Sequence, residues 1–184
     1  MLAADTILDS ALQLAAKTGW EQLTLQQIAA ALQISLADIY RHYRQKDDLV
    51  DAWFDRADQA LLSAVISTAL PASARLQQAM QHWLAALAPY HKLTGQMLLY
   101  KLEPGHIHLQ LAGILRISRT VQWLREAASL NARGTARIGQ ELALSSLFVA
   151  VFIYWLNDSS PAQQRSQQIL QRKLQCGDAV RLWH

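Results

Sequence analysis

The sequence predicts an all-α protein, and three observations carry that reading. Glycine (7) and proline (4) are sparse in 184 residues, so few positions break a helix. Ala, Leu and Gln, which favour helices, are abundant. Apolar residues recur at helical spacing, with no strand-like alternation and no internal repeat. A hydrophobic content of 52% supports a packed core and argues against disorder.

The elements follow in order. Ile7, Leu8, Ala11, Leu12 and Ala15 share one face, which predicts a first helix over 5–18, and Gly19 follows as a C-cap. Thr24 opens a second helix, with Gln27 three residues on as the partner of a capping box, and Ile28, Ala29 and Leu32 as its apolar stripe. Gln33 and Ile34 make a turn. Ser35 is a natural N-cap for a third helix, running roughly from Leu36 to Tyr43. A fourth starts near Lys46 and continues through Leu49, Trp53, Ala57, Leu61 and Val65. Beyond Pro71, helices are expected at about 73–89, 92–102, 106–130, 135–157 and 161–176. In the Asp158-Ser159-Ser160-Pro161 junction, Ser160 is expected to cap and Pro161 to take the first helical position.

Composition narrows the functional classes. Cys176 is the single cysteine, which excludes an internal disulfide framework and suits a reducing, cytoplasmic compartment. The N-terminus is acidic and amphipathic, unlike a signal peptide. Residues 147–156, LFVAVFIYWL, are apolar on every side but too few to span a bilayer. Membrane insertion is therefore not expected, and such a run points to a subunit interface. The sequence holds no phosphate-binding glycine loop, nucleophile elbow or obvious acid pair, so neither an enzyme nor a cofactor is expected. His106 and His108 are two residues apart, a spacing poor for metal binding on a helix, and no metal is expected.

Charge is uneven. The first fifty residues carry four basic and six acidic side chains, net −2, and the rest of the chain carries +5. Yet the third helix and its exit concentrate Tyr40, Arg41, His42, Tyr43, Arg44 and Lys46. Two short helices joined by a tight turn, the second one aromatic and basic, form a helix-turn-helix pattern. Hydroxyl and imidazole groups can bond phosphates, and Arg and Lys supply charge. Asp38 has two readings: a carboxylate capping the Ser35 N–H, or an acceptor for a cytosine amino group.

The stretch ILDSALQLAAKTGWEQLTLQQIAAALQISLADIYRHYRQKDDLVDAW resembles the N-terminal domain of the TetR family of transcriptional regulators, over about residues 5–55. The shared pattern includes Gly19 followed by an aromatic, Thr24 before Ile28-Ala29, Ser35, Ile39-Tyr40 with Tyr43, and Lys46 before Leu49. Gln33 stands where the family commonly has glycine, and Leu36 where it often has lysine.

The resemblance implies a TetR-like fold. An N-terminal three-helix helix-turn-helix domain, residues 1–46, would be linked by helix 4 to a helical ligand-binding and dimerisation domain, residues 47–184. It implies that Tyr40, His42 and Lys46 touch the DNA backbone and that Leu36, Ala37 and Asp38 face the bases. Thr24, Ser35, Arg41 and Arg44 complete the DNA-binding set. It implies a cavity for a small apolar ligand, with Trp83, Leu87, Tyr90, Met97, Tyr100 and His106 as lining candidates. It also implies a homodimer zipped along the last two helices, with Leu142, Ser146, Val149, Phe152, Ile153, Ile169, Leu170 and Leu174 at the interface. The expected function is a ligand-responsive regulator, a repressor released from double-stranded operator DNA. Residues 142–174 also resemble a lipid-binding protein of ubiquinone biosynthesis that has a TetR-like fold. That likeness implies an alternative, a non-enzymatic lipid- or isoprenoid-binding protein with little DNA binding.

Overall fold

The computed structural model describes residues 3–101 and 107–183. Among them the chain is all-helical, with α1 (Ala4–Thr18), α2 (Leu25–Leu32), α3 (Leu36–Tyr40), α4 (Lys46–Leu62), α5 (Ala72–Leu87), α6 (His91–Lys101), α7 (Ile107–Ala127), α8 (Gly134–Leu156) and α9 (Gln164–Ala179). Short 3-10 turns at Ala88–Tyr90 and Pro161–Gln163 precede α6 and α9. His106 lies outside the described residues. The chain divides into two compact units: Met1–Arg56 with Leu87–Gln110, and Ala57–Ala86 with Leu111–His184.

In the first unit α1 buries Ile7, Leu8, Ala11, Leu12 and Ala15, the face that its periodicity marks out. Gly19 ends it at φ 90°, with its N–H bonded to the Ala15 carbonyl at 2.7 Å. Trp20, Ile28 and Ile39 are fully or almost fully buried. These side chains fix α2 and α3 against the core. Gln33, in place of the usual glycine, takes the left-handed conformation at φ 55°.

The third helix is shorter than its sequence pattern predicts. Regular α geometry ends at Tyr40, because the His42 N–H reaches the Ile39 carbonyl in a tightened turn. The chain then turns so that Asp48 accepts hydrogen bonds from the Arg44 and Gln45 N–H groups and caps α4. Tyr43 is buried in this turn, and its hydroxyl donates to the Ala4 carbonyl at 3.1 Å. At the other end α4 stops at Leu62, short of the expected Val65, which is fully exposed.

In the second unit α8 buries Leu144, Leu147, Phe148, Val151, Phe152 and Trp155 on one side. Its other side stays exposed at Ile138, Leu142 and Ile153. The helix apolar all round in sequence is thus covered on one side only within the subunit. With 23 residues and mean hydropathy 1.5 it is long and apolar enough to cross a membrane, a property that core helices of soluble proteins share.

The junction before α9 differs from expectation. Ala162 and Gln163 both adopt φ 49°, so α9 begins at Gln164 and not at Pro161. Asp158 anchors the start. Its Oδ2 accepts from the Ser166 N–H and hydroxyl, and its Oδ1 from those of Ser160. Ser160 Oγ in turn accepts the Arg165 N–H. The C-terminal tail folds back, with Trp183 buried against Gly177 and its indole N–H bonded to the Leu174 carbonyl.

Candidate nucleic-acid interface and regulatory sites

Both helices of the helix-turn-helix start with complete capping boxes. Thr24 Oγ1 accepts the Gln27 N–H, and Gln27 Oε1 accepts the Thr24 N–H. Ser35 and Asp38 repeat the arrangement on α3, with the Ser35 hydroxyl also donating to Asp38 at 2.6 Å. Asp38 Oδ1 pairs with Arg41 at 2.9 Å. Of its two sequence readings, the capping role is therefore the one its oxygens occupy. The Ser35 bonds hold the Asp38 carboxyl below the ordinary carboxylate value.

With each helix capped at its N-terminus, the short α3 and the turn after it present an open outer side. Leu36, Ala37, Tyr40, Arg41, His42 and Arg44 are all exposed, with Tyr40 at 60%. The Arg44 guanidinium lies over the Tyr40 ring, 6.0 Å from its centroid. Asp38 neutralises Arg41 in part, leaving His42 and Arg44 with Tyr40 as the exposed polar groups of this edge. Leu36 offers an apolar surface at the helix start, of the kind that meets a thymine methyl.

Lys46 faces inward. Its Nζ donates to the Glu21 carbonyl at 3.0 Å and sits 5.1 Å from the Trp20 ring centroid and 5.3 Å from that of Tyr100. Burial pushes its amine below the ordinary lysine value, and the Glu21 carboxylate opposes that shift.

The last turns of α6 grip the same region, a feature with no signal in the sequence, where Lys101 reads as an ordinary helix-end cation. Gln96 Oε1 accepts the Trp20 N–H at 2.8 Å. Tyr100 packs edge-on to Trp20. Lys101 Nζ reaches Asp47 and Asp51 in α4 at 2.9 and 2.8 Å.

The ligand candidates fall in two groups. Trp83 belongs to the second unit, edge-on to Phe148 and Phe152. Its indole N–H donates to buried Asp58, which also accepts from Arg116 and Thr120. Leu87, Tyr90, Met97 and Tyr100 belong to the first unit. Leu87 and Met97 are fully buried. Tyr90 packs edge-on to Trp53 and borders a groove of about 390 Å³ beside Gly19 and Gln96. Tyr100 borders another, of about 350 Å³, with Trp20 and Leu99.

The interface candidates also divide. Phe152, Leu170 and Leu174 are buried within the subunit's own core. Leu142, Ser146 and Ile153 are exposed, and Val149 and Ile169 half-exposed. Leu142, Ser146, Val149 and Ile153 share one face of α8 by helical spacing.

A capped helix-turn-helix whose second helix exposes Tyr40 and leads into the exposed Arg41, His42 and Arg44 is the arrangement of a DNA-binding protein. Comparison with known proteins agrees. The family model of bacterial regulatory proteins of the tetR family matches residues 7–53. The crystal structure of a TetR transcriptional regulator from Nitrosomonas europaea ATCC 19718 is 40% identical over 96% of this chain and 98% of that one, at a TM-score of 0.84. A TetR transcriptional regulator from Rhodococcus sp. RHA1 shares the fold at 17% identity, covering 97% and 96% of the two chains with a TM-score of 0.70. The multidrug binding protein EbrR, complexed with imidazole, shares it at 19% identity, 92% and 88% coverage and a TM-score of 0.60. No curated protein sequence matches the chain. The chain belongs to the TetR family of DNA-binding transcriptional regulators.

Proposed function

We propose that this regulator is a cytoplasmic homodimeric repressor that leaves its operator when a small apolar ligand binds. The observation that carries the DNA half of the reading is the exposed edge formed by Tyr40 at the end of α3 and by His42 and Arg44 in the turn after it, with a capping box at the start of each helix of the pair. In this reading residues 1–46 read DNA. Thr24, Ser35, Tyr40, Arg41, His42, Arg44 and Lys46 bond the backbone, and Leu36, Ala37 and Asp38 face the bases. Residues 47–184 bind ligand and dimerise, with α4 as the link. In this reading Trp83 is where the ligand would meet the Asp58 network, whose bonds tie α4 to α5 and α7. A ligand that loosens those bonds shifts the population of α4 positions. Two recognition helices in a dimer must lie about 34–36 Å apart to enter successive major grooves, so a change in that separation releases DNA.

The dimer is proposed to form through the exposed α8 face of Leu142, Ser146, Val149 and Ile153. These residues give the otherwise uncovered apolar side of α8 a partner. The test is a titration of the purified chain against the DNA flanking its own gene. Tyr40→Ala is expected to weaken binding at fixed salt while leaving thermal stability unchanged. Equal affinity for the two proteins would remove Tyr40 from the interface.

A second reading, a lipid- or isoprenoid-binding protein with this fold, is favoured by the net charge of −2 on the first fifty residues. Lipid that co-purifies with the chain, together with indifference to DNA at every salt concentration, would support it over repression.

A further inference from the structure

The Lys46 ammonium is held by three groups from two parts of the chain: the Glu21 carbonyl at 3.0 Å and the Trp20 ring at 5.1 Å, both in the turn between α1 and α2, and the Tyr100 ring of α6 at 5.3 Å. The two rings meet edge-on at 6.5 Å and 74°, and the Lys46 ammonium lies within reach of both. Neighbouring bonds fix both walls. The Trp20 backbone N–H is bonded to Gln96 Oε1, and Trp20 itself is fully buried. Tyr100 stands next to Lys101, which two aspartates of α4 pin in place. Lys46 is partly exposed, so its four-carbon stem has a path outward.

A phosphate oxygen and an aromatic seat compete for the same cation. Cation–π attraction holds an ammonium where water is partly excluded, and a phosphate on the DNA surface can be met only by leaving the rings. We infer that Tyr100 and Trp20 are positioning residues for DNA contact: they form an aromatic seat that stores the Lys46 ammonium in the DNA-free protein and sets how readily it reaches a backbone phosphate. This deepens the DNA-binding role proposed above for Lys46 and rests on it. Through Tyr100, α6 acts on a DNA contact without touching DNA.

The test uses the full chain and a random-sequence duplex long enough for a dimer. In the free protein, the Lys46 ε-methylene NMR signals should show an upfield ring-current displacement. That displacement should shrink in Tyr100→Leu, which leaves only the Trp20 ring, and disappear on saturation with duplex. By anisotropy at fixed salt, Tyr100→Leu should bind the duplex about three- to tenfold more tightly, the range set by cation–π strengths. Tyr100→Phe keeps the ring and should match the parent protein, which guards against a general folding defect. In a Lys46→Ala background, Tyr100→Leu should change nothing.

An equal effect of Tyr100→Leu in both backgrounds would mean that Tyr100 acts only on structure, and the seat would have no role. A ring-current displacement that is missing in the free protein, or that persists on DNA, would also overturn the inference. If the parent protein binds no duplex at any salt, the DNA role of Lys46 falls and this inference with it, even where the NMR displacement reports a seat.

Discussion

Lys101 at the end of α6 and Asp47 in the first turn of α4 form a buried ion pair, with Nζ 2.9 Å from Oδ2. Asp47 Oδ1 is buried without a hydrogen-bond partner, so the carboxylate depends on this single cation and its neighbour Asp51 shares it. Burial pushes the Asp47 carboxyl above its ordinary value, and the Lys101 bond opposes that push. Because the folded value is raised, the ionised form costs stability at neutral pH, and the cost fades as pH falls through that value. Lys101→Met should lose about 3 kcal/mol at pH 7, since removing one partner of a buried pair strands the other. The loss should shrink in acid. Adding Asp47→Leu should restore most of it, and denaturant unfolding of the four proteins measures the coupling.

Gln33 ends α2 in a left-handed conformation that suits glycine. Gln33→Gly should stabilise the chain by about 0.5–1 kcal/mol by relieving that strain. The turn and the position of α3 should be unchanged. A lower melting temperature would show that the exposed Gln33 side chain contributes something this account omits.

Asp158 gathers the Ser160 and Ser166 hydroxyls and N–H groups before α9. Burial alone would push its carboxyl up, but the hydrogen bonds from the two serines outweigh burial and hold it well below the usual carboxylate range. A depressed folded value gives stability that is present above the unfolded value of about 4 and lost as pH falls below it. Asp158→Ala should cost about 2 kcal/mol at neutral pH by stranding buried donors. Its acid unfolding curve should be flatter than that of the parent protein.

Gly177 is the seat of Trp183. A Cβ at this position would overlap the indole Nε1 and Cε2. Gly177→Ala should therefore lift the tail, cost about 1–3 kcal/mol and expose the indole. Breaking the Trp183 bond to the Leu174 carbonyl should red-shift tryptophan emission. An unshifted spectrum with full stability would show that the tail does not need this close approach.

The helices were legible in the sequence because local signals set them. The Ile7-to-Ala15 stripe, the Thr24–Gln27 box and the Ser35–Asp38 box all appear at the expected positions. Boundaries set by competition between neighbours were less legible. Tyr43 looks like a helix residue by spacing, but the chain tightens where the His42 N–H meets the Ile39 carbonyl, and α3 ends at Tyr40. Tyr43 and Tyr40 read alike in sequence, and only the long-range bond to Ala4 makes the first of them structural. The grip of Gln96, Tyr100 and Lys101 on Trp20, Lys46 and Asp47 spans more than fifty residues of chain and left no local pattern to find. Phe152, Leu170 and Leu174 show the limit of hydrophobicity as a guide. An apolar side chain on a two-sided helix can face the subunit's own core or a partner, and composition does not distinguish them.

The most direct measurement is duplex affinity against salt concentration for the parent protein and Arg44→Ala. Releasing counterions from each neutralised phosphate contributes a slope of about −0.9 in log K against log salt. The account predicts a steep linear fall for the parent protein and a line shallower by roughly 1.8 for Arg44→Ala, one phosphate for each of two subunits. A flat response in the parent protein, or identical slopes for the two, would contradict a DNA-reading role for this helix.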